Sequence, residues 1–175
     1  MRNFFALAIA AVCLAAADAA PLVLTSPTLA ENGLVPREHV YSGCNGLNRS
    51  PALSWSGAPA GTKSFAVTVF DPDAPHPGGW WHWLVFDIPA DAKGLAENAS
   101  DALPRGAVQS RSDFGTAAYG GPCPPPGRPH RYVFTVYALK TANLAAAAND
   151  PPAKVDAAIR RNAIAQASLT ARYAR

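Results

Sequence analysis

Two segments constrain this chain more than any others: Asp71-Pro-Asp-Ala-Pro-His-Pro-Gly-Gly-Trp-Trp-His-Trp83 and Pro122-Cys-Pro-Pro-Pro-Gly-Arg-Pro-His-Arg-Tyr132, each a Pro/Gly loop beside an aromatic strand. Proline fixes φ and removes an amide donor, so such loops are stiff and leave neighbouring amides free. Two stiff loops that carry polar groups to an apolar frame are the ingredients of a preformed pocket.

The chain around them reads as β structure. Strands are expected at Leu22 to Thr25, Ala52 to Ser56, Ser64 to Asp71, His82 to Ile88 and Arg131 to Leu139, where β-branched and aromatic residues alternate between Gly and Pro. The end reads as helix: Asp150 can cap, Pro151 suits the first turn, and Val155, Ile159, Leu169 and Tyr173 recur at a period of 3.6. A second short helical piece is expected near Leu144 to Ala148. No repeat or interdomain linker divides the chain, so residues 20–175 read as a single domain, long enough for its own core.

Residues 1–19 read as a secretory signal peptide. Met1-Arg-Asn precedes an apolar stretch from Phe4 to Ala17, and Ala17-Asp-Ala19 supplies a small-x-small cleavage pattern. That stretch is shorter than the ~20 apolar residues a membrane span needs, and Val12 before Cys13 argues against a lipid anchor. A periplasmic or secreted protein without stable membrane insertion is expected. Cys44 and Cys123 would then meet an oxidising compartment, where a disulfide is the default and two buried free thiols the alternative. The formal net charge of +3 comes from scattered Lys and Arg, so neither nucleic acid nor an anionic membrane is indicated as a partner.

Period two along Trp81 to Asp87 puts His82, Leu84 and Phe86 on one face and Trp81, Trp83, Val85 and Asp87 on the other; His130, Tyr132, Phe134 and Val136 likewise share a face. Both histidines therefore start strands, in line with apolar residues, and Asp71 ends a third strand near them. Of Trp80, Trp81 and Trp83, at least one belongs to the core. Asp73 and His76 suit the turn, and Arg131, pointing away from His130, suits an ion pair.

These residues sit within an ordered set of motifs. Cys44-x-Gly-x-Asn48-x-Ser-Pro51-x-Leu-x-Trp55, Pro59-x-Gly-x-Lys-Ser-Phe65, Asp71-Pro-Asp-Ala-Pro75, Gly79-Trp-Trp-His82-Trp, Arg111-x-Asp-Phe-Gly115 and Tyr119-Gly-Gly-Pro-Cys-Pro-Pro-x-Gly127-x-x-His-Arg-Tyr132 follow one another across residues 44–132. In this the chain resembles the phosphatidylethanolamine-binding protein family, in its bacterial and archaeal Raf-kinase-inhibitor-like branch. The resemblance implies packed antiparallel sheets with Greek-key connections and a C-terminal α-helix. It also implies a small anion pocket formed by Asp71, Pro75, Trp80, His82, Pro125, His130 and Tyr132, with Gly121 and Cys123 at its rim, and a cis Ala74–Pro75 bond.

The expected ligand is a small anion such as phosphate or a phospho-headgroup. An imidazole N–H, a Tyr O–H and free amides would hold it, and Asp71 would orient His82 or His130 rather than meet the ligand. Affinity should then rise as pH falls through the histidine range, near 6.5 for an unperturbed ring. No cofactor is expected. A protein that recognises a phosphorylated or acidic segment is an alternative use of such a pocket, with its partner unidentified, and a homodimer is compatible with either. A divalent metal on Asp71, His82 and His130 with hydrolytic activity is a second alternative, although the metal-typical His spacings are missing. A nucleophilic hydrolase lacks its Gly-x-Ser-x-Gly elbow, so no catalytic residue is assigned and a non-enzyme is expected.

Overall fold

A computed structural model of the protein describes residues 20–175; the expected signal peptide lies outside them. Strands β1 (Val23–Thr25), β2 (Leu53–Ser56) and β5 (Gly94–Leu95) form a small antiparallel sheet in the order β1-β2-β5. The large sheet is β6-β4-β3-β7-β8, built from β3 (Ser64–Asp71), β4 (Trp80–Pro89), β6 (Val108–Gln109), β7 (His130–Leu139) and β8 (Ala163–Tyr173). All its pairings are antiparallel. Within it the order β7-β3-β4-β6 is a Greek key, the last strand returning beside the first.

The main core lies between the sheets, where Leu24, Trp55 and Leu95 meet Phe65, Val67, Val69, Trp83, Tyr132 and Phe134. A second core covers the outer face of the large sheet: Ala66, Leu84, Phe86, Tyr137 and Leu139 pack under Leu144 and under Val155 and Ile159 of helix α1 (Pro152–Asn162). Strand β3 is therefore buried on both faces, which explains why it reads as a nearly unbroken apolar run.

The C-terminal region departs from its expected form. Helix α1 occupies the expected start but ends at Asn162, and the following eleven residues are strand, hydrogen-bonded to β7 from Ala163↔Leu139 to His130↔Tyr173. Val155 and Ile159 do face a core, whereas the later matches to a 3.6 period coincide with a period-two pattern. Ala165, Ala167, Leu169, Ala171 and Tyr173 line the inner face. Alanine carries a high helix propensity, and here tertiary pairing overrides it. Asp150 does not cap the helix; its carboxylate accepts from the Ala147 amide (2.9 Å) and Lys154 Nζ (2.8 Å). The Leu144 to Ala148 segment is irregular backbone rather than a helical piece, its entry held by the Leu144 amide donating to Asp87 Oδ1 at 2.7 Å.

Strand β4 is bulged at two points, between Phe65↔Ile88 and Val67↔Val85, and again where Val69 faces Trp83 and Phe70 faces Trp81. The second bulge leaves His82 as the extra residue. It falls out of phase with Leu84 and Phe86, which face α1, and turns toward Phe114 and Tyr132. The single face expected for His82, Leu84 and Phe86 is thus broken by the bulge that aims the histidine.

Candidate functional site

At the end of the large sheet where β3 stops and β4 and β7 begin, the two Pro/Gly loops frame a cavity of about 320 Å³. Strand pairing brings its polar groups together: Asp71 pairs with Trp80 across β3 and β4, and β7 runs beside β3 up to Phe70↔Val133, so His130 and Tyr132 project past the end of that ladder. Asp71, Pro75, Trp80, His82, Pro125, His130 and Tyr132 all line the cavity, joined by Cys123 at the rim and by Ala74, His76 and Pro124. Among the described residues no Lys or Arg lines it.

Gly121 does not line it. Its amide donates to Asn48 Oδ1 at 2.7 Å, and a side chain there would sit 2.2 Å from the His39 carbonyl oxygen, so its place is against the Val40–Tyr41 backbone. The Ala74–Pro75 bond is trans rather than cis. Trans is the lower-energy isomer for an X–Pro bond, and the chain reverses through Gly78 and Gly79, both at positive φ, without needing the alternative.

The polar groups are held in fixed roles. His130 Nδ1–H donates to Asp71 Oδ2 at 2.8 Å, with both side chains buried, while Asp71 Oδ1 accepts the Asp73 amide at 2.8 Å. Asp71 is therefore the residue that closes its own turn. Asp73, expected to serve that turn, instead grips β7: it accepts from the Arg131 amide (2.9 Å), Nε (2.9 Å) and Nη2 (3.0 Å). The Arg131 guanidinium holds the Asp73 carboxyl well below the usual carboxylate range, at about 2. This bidentate pair ties the first Pro/Gly loop to the strand carrying His130.

His82 Nδ1–H donates to the Gly120 carbonyl at 2.6 Å, and the Gly120 amide returns a bond to the His82 carbonyl at 3.0 Å. Burial pulls the His82 imidazole down to about 4, against the opposing influence of the Gly120 carbonyl and the Asp71 and Asp113 carboxylates. The ring meets Phe114 and Tyr132 edge-on, at 5.3 and 5.1 Å between centroids. The Tyr132 hydroxyl is buried and has no hydrogen-bond partner among the described residues. Burial, reinforced by the nearby Asp71 carboxylate, pushes its pKa up, so the phenol keeps its proton.

Ala74, His76, Phe114 and Pro124 line the pocket without having been assigned to it from the sequence, and Phe114 is the largest of them. It sits in the Arg111-x-Asp-Phe-Gly115 motif, stacks on Tyr41 at 5.0 Å and meets Trp80 edge-on at 5.6 Å. Asp113 anchors it by accepting the Trp81 amide at 2.7 Å. Its ring lies so close to Gly120 that a Cβ there would be 2.4 Å away, which accounts for glycine at that position. The motif marked the segment, but only folding shows that it crosses β4.

The second loop is stapled from behind. Cys44 and Cys123 form a disulfide with Cα atoms 5.7 Å apart, as expected for the oxidised pair. Tyr41 N–H donates to the Pro122 carbonyl at 3.1 Å, and Asn48 Nδ2 donates to the Tyr119 carbonyl at 3.1 Å. Beside the cavity an adjoining groove of about 440 Å³ shares Ala74, Pro75, Pro125 and His130 with it and adds Pro72, Asp73, Pro126 and the exposed Arg128. Among the described residues no group of three His, Cys, Asp or Glu side chains is arranged to hold a metal ion.

With this geometry in view, the comparisons with known proteins are specific. The family model for phosphatidylethanolamine-binding protein matches residues 25–174. The chain is 48% identical over 164 residues to the UPF0098 protein YbcL of Escherichia coli K12, covering 90% of each chain. To the UPF0098 protein YbhB of the same organism it is 42% identical over 155 residues, covering 86% of this chain and 98% of that one. The crystal structure of E. coli YbcL, described as a member of the mammalian PEBP family, superposes with a TM-score of 0.86, covering 89% of this chain and 99% of that one.

Proposed function

The chain belongs to the phosphatidylethanolamine-binding protein family, and on that premise we propose that its cavity binds a small anionic ligand bearing a phosphate group. The fold is that of a binding protein. The observation that carries the finer reading is the Tyr132 hydroxyl: a buried, protonated donor without a protein partner, lining a cavity, is costly unless a ligand completes it. His130, oriented by Asp71, and His82, oriented by Gly120, leave their Nε2 atoms without protein partners beside it. A cavity of about 320 Å³ lies at the small end of ligand pockets, which suits a phosphate and a short attachment better than a lipid's chains.

Binding rather than catalysis is the supported use. Among the described residues no serine or free thiol lines the cavity beside either histidine, and Cys123 is committed to its disulfide. The apolar leader read in residues 1–19 and the Cys44–Cys123 disulfide both support an exported protein in an oxidising compartment. Recognition of a phosphorylated protein segment has one observation in its favour, the groove leading from His130 past the exposed Arg128, which would give such a segment room to leave the cavity.

Calorimetric titration with inorganic phosphate and with phosphoethanolamine tests the reading, alongside His130→Ala and Tyr132→Phe. Saturable 1:1 binding that weakens in both variants supports it. Absence of binding by the native protein, or a stoichiometric transition metal in protein purified without chelator, contradicts it.

A further inference from the structure

Both pocket histidines have their tautomers chosen by the protein. The Gly120 carbonyl can only accept, so His82 Nδ1 carries the hydrogen. The Asp71 carboxylate, already accepting the Asp73 amide on its other oxygen, places the hydrogen of His130 on Nδ1 in the same way. In a neutral ring the remaining nitrogen, Nε2, is then a lone pair and not a donor. Burial of His82 keeps it neutral through the physiological range. The general expectation that an imidazole N–H would donate to an anion therefore fails at His82, whose only N–H is spent on Gly120.

We infer that, given the anion pocket proposed above, the ligand enters it carrying a proton of its own, so that the site takes a phosphate monoester or inorganic phosphate in its hydrogen-phosphate form and rejects proton-free anions of the same shape. The ligand's P–OH donates to His82 Nε2, and another of its oxygens accepts from the Tyr132 hydroxyl, which is buried without a hydrogen-bond partner among the described residues and has the Asp71 carboxylate nearby as the competing acceptor. The charged groups around His82 agree with this polarity. Asp71 approaches from β3 and Asp113 from the Phe114 segment, while β7 contributes the phenol and the imidazole of His130, and among the described residues no Lys or Arg lines the cavity to favour a fully ionised dianion. A phosphodiester, the linkage of an intact phospholipid headgroup, and sulfate both lack a proton near neutral pH. Each would set an oxygen lone pair against Nε2 and leave it unpaired.

The test is calorimetric titration of the native protein at pH 6.5 with two matched pairs: inorganic phosphate against sulfate, and methyl phosphate against dimethyl phosphate. Phosphate and methyl phosphate should bind at least about tenfold more tightly than their proton-free counterparts, the cost of an unpaired buried acceptor. Affinity for methyl phosphate should fall close to tenfold from pH 7 to pH 8, because its second ionisation lies near 6. His82→Gln, whose amide can offer an N–H in place of the lone pair, should narrow the phosphate-to-sulfate ratio. Equal affinity for sulfate and phosphate in the native protein overturns the inference while leaving the anion pocket standing. Preference for sulfate or dimethyl phosphate overturns it too, and binding of none of the four overturns both readings.

Discussion

His130 Nδ1 and Asp71 Oδ2 meet at 2.8 Å in a buried pair that joins the end of β3 to the start of β7 at the cavity wall. The same carboxylate closes the Asp71–Asp73 turn through the Asp73 amide, and Asp73 in turn clamps Arg131. One side chain thus sets the tautomer of His130 and the path of the first Pro/Gly loop.

Replacing that carboxylate should therefore do two things at once. Asp71→Ala strands the His130 N–H and the Asp73 amide, and each unpaired buried donor costs about 1–3 kcal/mol. Urea denaturation should show a loss of about 2–6 kcal/mol for the two donors together, along with weakened phosphate binding. Asp71→Asn keeps an acceptor oxygen and should lose less stability.

Tyr132→Phe separates folding from function. Its hydroxyl is buried without a partner, so removing it should leave the denaturation midpoint unchanged or raised. Phosphate affinity should nevertheless drop by about ten- to 150-fold, the size of one hydrogen bond to a charged group, about 1.5–3 kcal/mol. A variant both less stable and equally able to bind would show that the hydroxyl serves the fold.

The depressed His82 pKa has a definite consequence for acid stability. An unfolded histidine titrates near 6.5, whereas the folded ring titrates at about 4, so between these values the unfolded state binds the extra proton. The stabilisation is complete above pH 6.5 and is lost as pH falls toward 4. At about 1.4 kcal/mol per pH unit the contribution is on the order of 3 kcal/mol. Chemical denaturation at pH 7.5 and 4.5 measures it, and His82→Gln should remove that part of the pH dependence.

Reduction should loosen the second loop. The Cys44–Cys123 bond joins positions 79 residues apart, and a closed loop of that size is worth on the order of 4 kcal/mol by chain entropy. Cys44→Ser with Cys123→Ser should lower the melting temperature and also weaken ligand binding, because Cys123 stands at the cavity rim.

Much of this site could be read before folding, because stiff Pro/Gly loops and strand-start histidines announce themselves locally. Asp71, Pro75, Trp80, His82, Pro125, His130 and Tyr132 line one cavity. What escaped were features created by register. The bulge that turns His82 away from Leu84 and Phe86 depends on how β4 pairs with β3. Phe114 reaches the cavity because Asp113 pins its segment to the Trp81 amide. Strand β8 hid within an alanine-rich stretch whose local preference is helical, since nothing in Ala163 to Tyr173 reveals that β7 offers an open edge. The family resemblance put Gly121 at the rim, yet its backbone packs against Val40.

The most direct measurement is NMR of ¹⁵N-labelled imidazole rings at pH 6.5 during titration with inorganic phosphate. The free protein should show His82 and His130 with Nδ1 protonated, and phosphate should shift the Nε2 resonances of both rings saturably with 1:1 stoichiometry, the midpoint moving to higher phosphate in a folded Tyr132→Phe. Ring resonances of His82 and His130 that stay fixed while phosphate is added, or shifts confined to His39, would contradict a phosphate-binding pocket at this site.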